Sequence, residues 1–438
     1  MRLEDLISEL TARVPSLKKF PSEWWCGGWD RWRPTAVAAA ALCAVIEAQA
    51  QTTLRSSPYV PFRQPEGAKY NLKWGLLQGR ITGEVQSEFN DNINLSEDKQ
   101  LADWSIGPHL GIGFIYPISK DHLMQFSAGV GYRFYLNSPS INSFSVAPNS
   151  SWSHTLSLYD VTLEVHDQFS IQTDPTSQGD IYNTGGPTSL VNFKRISNTA
   201  GLFASYQPTL HWTLNAGYDY TIGRSLSDQF TEMDADTHTV FAGSFHAINQ
   251  RLTTGLSSSY SINEYSRNLQ NGGNSFSIGP VLSLKPTAHI YVQFSVGYSS
   301  FSFDQSGTLG DNSTFEGITF QGAINHQLNR KVSHSIRVSR NVAPGFRSNF
   351  SETFAAQYGV AGPLSRNLTM NATLGYETFV SSMLRDTGDR YIFNMGTSYQ
   401  LTKIWTAGVS YSLAWKQASV AGRDYLQNRI TLGLVRQF

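Results

Sequence analysis

Polar and apolar residues alternate with a period of two almost without a break from residue 77 to residue 438. In Leu77–Phe89, every even position is polar and most odd positions are apolar or Gly. Trp405–Trp415 and Asn367–Tyr376 repeat the pattern. Because successive residues of a strand point to opposite faces, each segment predicts a β-strand with one polar and one apolar face. No segment of comparable length has helical periodicity.

The length of these strands favours a membrane protein over a soluble sandwich. Many run for about 12 to 16 residues, whereas a soluble strand has about 5 to 6 and a tilted strand needs about 9 to 11 to cross the hydrocarbon. Aromatic residues such as Trp212, Tyr376 and Trp405 lie near strand ends, where interfacial girdles form. We therefore predict an all-β fold, a transmembrane antiparallel up-and-down β-barrel in the bacterial outer membrane.

The links between strands predict the strand number. Short turns, such as Pro117–Asp121, alternate with longer polar loops near 91–103, 137–150, 173–193, 225–235, 264–273 and 304–313. Short periplasmic turns and longer outer loops are typical of such barrels. A direct count gives 17 strand segments, whereas bacterial single-chain barrels normally have an even number of strands. Ser151–Gln172 is long enough for two strands with a turn near Asp160, so we predict 18 strands, with 16 as the alternative.

The first 76 residues predict export. The apolar run Thr35–Ile46 follows Arg31 and Arg33 and precedes Ala48-Gln49-Ala50, which is the pattern of a secretory signal peptide. A buried helix of a soluble domain is the alternative. We expect a signal peptide with an extended or misannotated N-terminus at 1–50, a periplasmic leader at 51–76 and the barrel at 77–438.

Cysteine usage agrees with this division of the chain. Cys26 and Cys43 both precede the expected cleavage after Ala50. The mature chain would then contain no disulfide and no thiolate metal site.

Composition narrows the function classes. Charged residues make up 15% of the chain, with 33 basic and 33 acidic side chains, whereas soluble proteins average about 25%. A nucleic-acid-binding protein would have a basic excess, and a disordered chain would have few aromatics, which here reach 13%. The balance suits an apolar exterior around an interior of uncharged polar residues, and it predicts no nucleic-acid partner.

The last strand predicts partners. Phe438 ends the chain after Ile430, Leu432 and Leu434 at alternating positions, a pattern that the barrel-insertion machinery reads. Arg436 departs from it, since an apolar or aromatic residue is expected there. We expect the insertion machinery, outer-membrane lipids and lipopolysaccharide as partners. The oligomeric state stays open.

The sequence offers little catalytic chemistry. The ten histidines are scattered, and His238 and His246 are about 26 Å apart along a strand, too far to share a metal. His166 and Ser170 share a face but are about 13 Å apart. We therefore expect no enzyme, no metal and no cofactor.

One acidic loop is a weaker candidate for a site. Asp91, Asn92, Glu97 and Asp98 could bind a divalent cation or bridge lipopolysaccharide through one, although a solvated loop is the simpler interpretation.

Alternation predicts which charged residues line the lumen. They carry both signs, which favours a transverse field and weak selectivity rather than the single-sign rings that select one ion. The alternative is that the charges pair across a plugged lumen. The predicted pore-lining residues are Arg80, Glu84, Glu88, Arg133, Glu164, Asp219, Arg337, Glu377 and Arg429.

Several short motifs carry a resemblance. They are Lys73-Trp74-Gly75, Phe89–Leu95, Asp167–Ser170, Asn198–Gly201 and Ala216–Tyr220. Together they resemble a family of putative β-barrel porins, outer-membrane proteins of which some lie near exopolysaccharide genes. The resemblance covers most of 73–438, implies the barrel fold and brings no catalytic residues.

Three functions compete at this point. The first is a weakly selective pore for small hydrophilic solutes. The second is a conduit or accessory of exopolysaccharide export, which adds polysaccharide and its export proteins as partners. The third is a structural barrel without transport.

Overall fold

A computed structural model describes residues 72–172, 194–267, 269–329, 331–345, 348–383, 387–419 and 421–438. The expected signal peptide, the leader up to residue 71, both cysteines and the loop at 173–193 lie outside these residues. Among the described residues, no helix is long and apolar enough to span a membrane. The helices there are two short 3-10 turns, Pro139–Ile141 and Asp228–Met233.

In the described part of the chain, nineteen strands form one antiparallel sheet. A three-residue strand, β1 (Leu72–Trp74), precedes eighteen long ones. The long strands are β2 Leu77–Asn90, β3 Asp103–Pro117, β4 His122–Tyr135, β5 Ser143–Leu158, β6 Val161–Gln172, β7 Arg195–Thr209, β8 Trp212–Ser225, β9 Ala235–Asn249, β10 Leu252–Tyr265, β11 Gly273–Thr287, β12 Ile290–Phe303, β13 Phe315–Gln327, β14 Ser333–Pro344, β15 Phe350–Pro363, β16 Leu368–Ser381, β17 Thr387–Gln400, β18 Trp405–Ala418 and β19 Tyr425–Gln437.

The long strands close into a barrel. Each of β2 to β18 pairs with the next strand, and β19 returns to β2 through a register that runs from Arg429 opposite Asn90 to Gln437 opposite Thr82. The predicted up-and-down barrel of 18 strands is therefore confirmed. Eighteen strands spaced about 4.8 Å apart and tilted by about 40° enclose a backbone cylinder of about 18 Å radius.

The stretch that decides the strand number contains two strands. β5 ends at Leu158 and β6 begins at Val161, and Tyr159 at the turn has a left-handed φ of +52°. The predicted loop at 137–150 is wrong in its second half, because β5 already begins at Ser143. The Ser, Asn and Pro residues of that half favour a loop. The segment nevertheless stays in the sheet, because its pairing with β4 contains a register shift between Ser127 and Val130.

The two faces of the sheet differ as the alternation predicts. On β10 and β11, Leu256 is 50% exposed and Phe276 40% exposed, while Ser257 and Ser277 from the same strands are 4% and 1% exposed. A sheet closed into a barrel buries its inner face and leaves its outer face open. The apolar face is therefore the exterior, and the polar face lines the lumen.

The wall has one short seam, between β13 and β14. Their register runs only from Phe320 opposite Arg340 to the turn, so the last residues of each strand at the loop end are unpaired with each other. Phe301, Phe315 and Val342 form a buried cluster at this seam. Register places Phe315 on the inner face and Val342 on the outer face. Side chains of opposite faces can meet here because the ladder is open.

Buried polar side chains fasten the loops above this seam. The Asn271 amide donates to the Asn349 side chain at 2.8 Å and to the Asp311 carbonyl at 2.6 Å. The Asp311 carboxylate accepts from the Asn349 backbone N–H at 2.8 Å and from the Ser382 hydroxyl at 2.6 Å. Burial favours the neutral form of Asp311, but these donors and Ser313 outweigh it and hold the pKa of the carboxyl below its usual value.

A second tie joins the first loop to the last strand. The Asn92 side chain is fully buried and donates to the carbonyls of Ser96 and Leu426, at 2.8 and 2.9 Å. Gln427 donates back to the Asn92 carbonyl at 2.9 Å. The loop between β2 and β3 is thereby held where the barrel closes.

Candidate functional site

Register places all nine predicted pore-lining residues on the inner face. Glu84 lies opposite His109, Glu164 opposite Phe203 and Arg337 opposite Gln357, each within the polar set of its strands. The same ladders place the remaining six, Arg80, Glu88, Arg133, Asp219, Glu377 and Arg429. Their role in conduction remains a prediction.

One group of these residues lies where β2 faces β4 across β3. An Arg133 guanidinium nitrogen is 3.4 Å from a Glu88 carboxylate oxygen, with both side chains largely buried. The Thr431 hydroxyl, from β19, donates to the other Glu88 oxygen at 3.3 Å. Glu84, four residues along β2, accepts from the Gln86 amide at 2.7 Å. This group therefore spans the closing seam of the barrel.

A second group crosses β6, β7 and β8 in one row. His166, Gly201 and Asp219 are directly opposite one another in the two ladders. His166 Nε2 is 3.1 Å from Asp219 Oδ1, a contact between strands that are not neighbours. It passes over Gly201, where a Cβ atom would be 2.3 Å from that oxygen and 2.6 Å from the imidazole. Only glycine in the middle strand leaves room for it.

The same group includes a third ionisable side chain. Glu164 is 2% exposed and accepts from the Thr155 hydroxyl at 3.2 Å. Its other oxygen is 3.9 Å from His166 Nδ1. The imidazole therefore lies between two carboxylates and balances part of their charge when it is protonated.

A third group contains two cations that alternation alone could have identified. Arg390 and Lys416 face inward in register with Glu377, and they are 4% and 2% exposed. Arg390 donates from Nε to Glu377 at 3.0 Å. The Lys416 ammonium lies 5.1 Å from the centre of the Phe379 ring and 6.0 Å from that of Tyr425. The signal for Arg390 was the alternating apolar set Tyr391, Phe393 and Met395 on β17. The signal for Lys416 was the corresponding set Tyr411, Leu413 and Trp415 on β18.

The three groups divide the lumen by charge. Strands β14 to β19 present four inward cations and one anion: Arg337, Arg390, Lys416, Arg429 and Glu377. Strands β2 to β8 present three cations and five anions: Arg80, Arg133, Arg195, Glu84, Glu88, Asp103, Glu164 and Asp219. The inner face of β9 to β13 presents only one among its described strand residues, Lys285, at the turn end of β11. The predicted mixture of signs is therefore resolved into a net positive, a net negative and a neutral sector.

The neutral sector is a wall of hydroxyl groups. Thr239 and Ser261 are 2.8 Å apart, and Ser259 and Ser277 are 2.7 Å apart, each pair joining neighbouring strands. The Phe245 ring lies against Gly243 and Gly255, so that a large side chain lies flat on the wall. These hydroxyls satisfy one another without charge.

The other sequence candidates do not form sites. His238 and His246 lie on the outer face, where His238 stacks on Tyr220 and His246 packs against Trp212 with its ring tilted, with ring centres 4.8 and 4.5 Å apart. Asp91 is tied to Asn428 at 2.6 Å. Within the described ranges, no group of three potential ligands could hold a metal ion.

Comparison with known families agrees with this architecture. Residues 259–438 match the family described as Putative beta-barrel porin 2. The match confirms the resemblance seen in the sequence, although it starts within β10 and so excludes the motifs between 73 and 220 on which that resemblance was based. No curated protein is significantly similar to the chain.

Among solved structures, the barrel is similar to outer-membrane proteins of Pseudomonas aeruginosa. OccK5 (OpdH) is 13% identical with a TM-score of 0.47, and the match covers 82% of this chain and 98% of that one. OccK2 (OpdF), solved with glucuronate, is 10% identical with a TM-score of 0.49, over 83% and 98%. OprD is 11% identical with a TM-score of 0.44, over 82% and 96%. At this identity they identify no solute.

Proposed function

We propose that this porin-like chain forms a weakly selective pore for small hydrophilic solutes in the bacterial outer membrane. The observation that carries the proposal is the inner face of the described strands, which is mainly polar and is charged in two sectors of opposite net sign. Barrels of 16 to 18 strands are wide enough for an aqueous channel. The lumen contacts described above join strands no more than two apart, so they line the wall without bridging it.

Weak selectivity follows from the sum of the charges. Apart from Lys285 at the turn end of β11, seven inward cations and six inward anions nearly cancel. Rings of one sign select strongly because every approaching ion meets the same potential. Sectors of opposite sign instead impose a transverse field and leave a path for ions of either sign.

The test is the reversal potential of the refolded barrel in a planar bilayer under a salt gradient. Asp219→Asn removes one anion from the net negative sector and should shift the preference towards anions. Asp167→Asn is the matched control, because Asp167 faces outward on β6 and accepts from Asn198 at 2.9 Å. Equal shifts in both variants would contradict the assignment of Asp219 to the conducting path. A folded barrel without conductance would overturn the pore and leave the structural and export hypotheses.

A further inference from the structure

Charge is distributed unequally along the barrel axis. The end with the short turns, which is periplasmic in outer-membrane barrels, carries eight exposed basic side chains and two acidic ones, Asp121 and Asp160, among the described residues of its turns and strand ends. We call this set the basic rim. It consists of Lys73, Lys120, Arg251, Lys285, Lys331, Arg366, Lys403 and Arg436.

The opposite end has the reverse balance. Outside the lumen, its described loops and strand ends are mainly acidic, and several of the acids are paired, as in the contact of Arg224 with Asp236 at 2.7 Å. Charge segregated to one end therefore distinguishes the two membrane interfaces. The basic rim has few carboxylates of its own to neutralise it.

Arg436 shows what the rim is built to contact. Its guanidinium is on the outer face, 5.4 Å from the centre of the Trp405 ring and 4.5 Å from that of Phe438. It is exposed and makes no ion pair with a described residue. Lys403 is in the adjacent turn. A cation held over two rings at the interface presents its donors to the head groups while the rings face the glycerol and upper acyl chain. This explains the departure of Arg436 from the terminal-strand pattern.

Histidines extend the same interface. Seven of the ten lie at this end, in the turns or within a few residues of the strand ends that adjoin them: His122, His154, His211, His246, His289, His326 and His334. Register brings several into contact, although they are scattered in sequence. His326 and His334 are directly opposite, with ring nitrogens 2.8 Å apart, and His122 lies 5.7 Å from His154 between ring centres. Amphipathic rings of this kind are suited to the headgroup level.

From this arrangement we infer that the basic rim is a recognition surface for the phosphodiester head groups of anionic phospholipids in the inner leaflet. Guanidinium and ammonium groups are the side chains that bind phosphate oxygens, and the neighbouring rings fit the apolar part of the same lipid. Zwitterionic lipids offer the same phosphate with an added cation, which the rim repels. The surface is formed mainly by turn residues and by Arg436 on the outer face, so the inference stands whether or not the barrel conducts.

The test compares lipids at the barrel surface. The full chain is refolded into vesicles of phosphatidylcholine and phosphatidylglycerol in equal amounts, and spin-labelled forms of each lipid report the fraction immobilised by the protein. We expect phosphatidylglycerol to be favoured by about fivefold at sites contacting a rim cation, the preference expected for about one basic residue near an anionic surface. Replacing all eight rim residues by Gln should bring the ratio close to one, and Lys403→Gln with Arg436→Gln should give an intermediate value.

The matched control neutralises four basic residues at the other end, Lys99, Lys194, Arg267 and Arg423, and should leave the preference unchanged. If the variant with all eight substitutions does not fold, the wild-type chain alone still tests the inference. Added salt screens exposed charges and should therefore abolish the preference for phosphatidylglycerol. A wild-type ratio of one would overturn the inference, and so would a preference that survives neutralisation of the rim or that the control removes.

Discussion

Gly201 is the position where the candidate site can be tested against the stability of the barrel. Adding one methyl group, Gly201→Ala, places a Cβ atom 2.3 Å from Asp219 Oδ1 and 2.6 Å from His166 Nε2. Neither distance is tolerable, so the two side chains must separate. A hydrogen bond to a charged group contributes about 1.5 to 3 kcal/mol. Ala is better than Gly in a strand interior by about 0.5 to 1 kcal/mol, which offsets part of the loss.

Gly223→Ala is the matched control. Gly223, on β8, is on the inner face of the barrel like Gly201. Its new Cβ atom would be 3.7 Å from the nearest atom, the Ala235 carbonyl oxygen, which is an ordinary van der Waals contact. The control should therefore gain about 0.5 to 1 kcal/mol from strand propensity alone. The free energy of unfolding, from urea titration of the barrel refolded in vesicles, should separate the two variants by about 1.5 to 3 kcal/mol, which is the contribution of the His166 contact with Asp219.

A third variant tests whether the loss of stability comes from the contact between His166 and Asp219. In a His166→Ala background the imidazole is absent, so Gly201→Ala should cost much less than it does in the wild type, and the two substitutions should be non-additive. Equal unfolding free energies for Gly201→Ala and Gly223→Ala would refute the role of the glycine. If the changes in unfolding free energy of Gly201→Ala and His166→Ala are strictly additive, the destabilisation by Gly201→Ala does not come from this contact.

Three further outcomes follow from the loops and the lumen. The pKa of Asp311 is lowered in the folded chain, so its hydrogen bonds to Asn349 and Ser382 should stabilise the loops fully above pH 3.8, the ordinary pKa, and be lost as the pH falls through the lower folded pKa. Asp311→Asn should remove this pH dependence, and limited proteolysis of the wild type and the variant at a series of pH values measures it. Asn92→Ala leaves the Leu426 carbonyl without its donor and should cost about 1 to 3 kcal/mol in the free energy of unfolding. Arg337→Gln should shift the reversal potential towards cations, opposite to Asp219→Asn.

The sequence predicts the faces of this barrel because alternation is a local property. Each of the nine residues expected in the lumen is assigned by residues of its own strand, as Glu377 is by the alternating Leu374 and Tyr376 just before it. Splitting Ser151–Gln172 at Asp160 needed only strand length and the even number of strands. Both rules act within one strand or one hairpin. The structure confirms the 18 strands and places the nine residues on the inner face, while their role as pore-lining residues remains a prediction.

The contacts within the site could not be predicted in this way. His166 and Asp219 are 53 residues apart, and their contact depends on the registers of two ladders and on a glycine between them. Histidines that are scattered along the chain meet at one end for a similar reason: each strand reverses direction, so residues near successive short turns return to the same interface. The seam between β13 and β14 has no signal in the alternation, because both strands keep their pattern where the ladder stops.

Closure of the sheet gives the lumen its electrical character. In the amino-acid sequence, the net negative strands β2 to β8 come first and the net positive strands β14 to β19 come last. The pairing of Arg429 with Asn90 and of Thr431 with Glu88 makes them neighbours. The field is therefore strongest beside the closing seam and weakest along the neutral wall of β9 to β13. Charge should select solutes mainly on the seam side, while on the opposite side the distance from the charges leaves size and hydrogen bonding to decide.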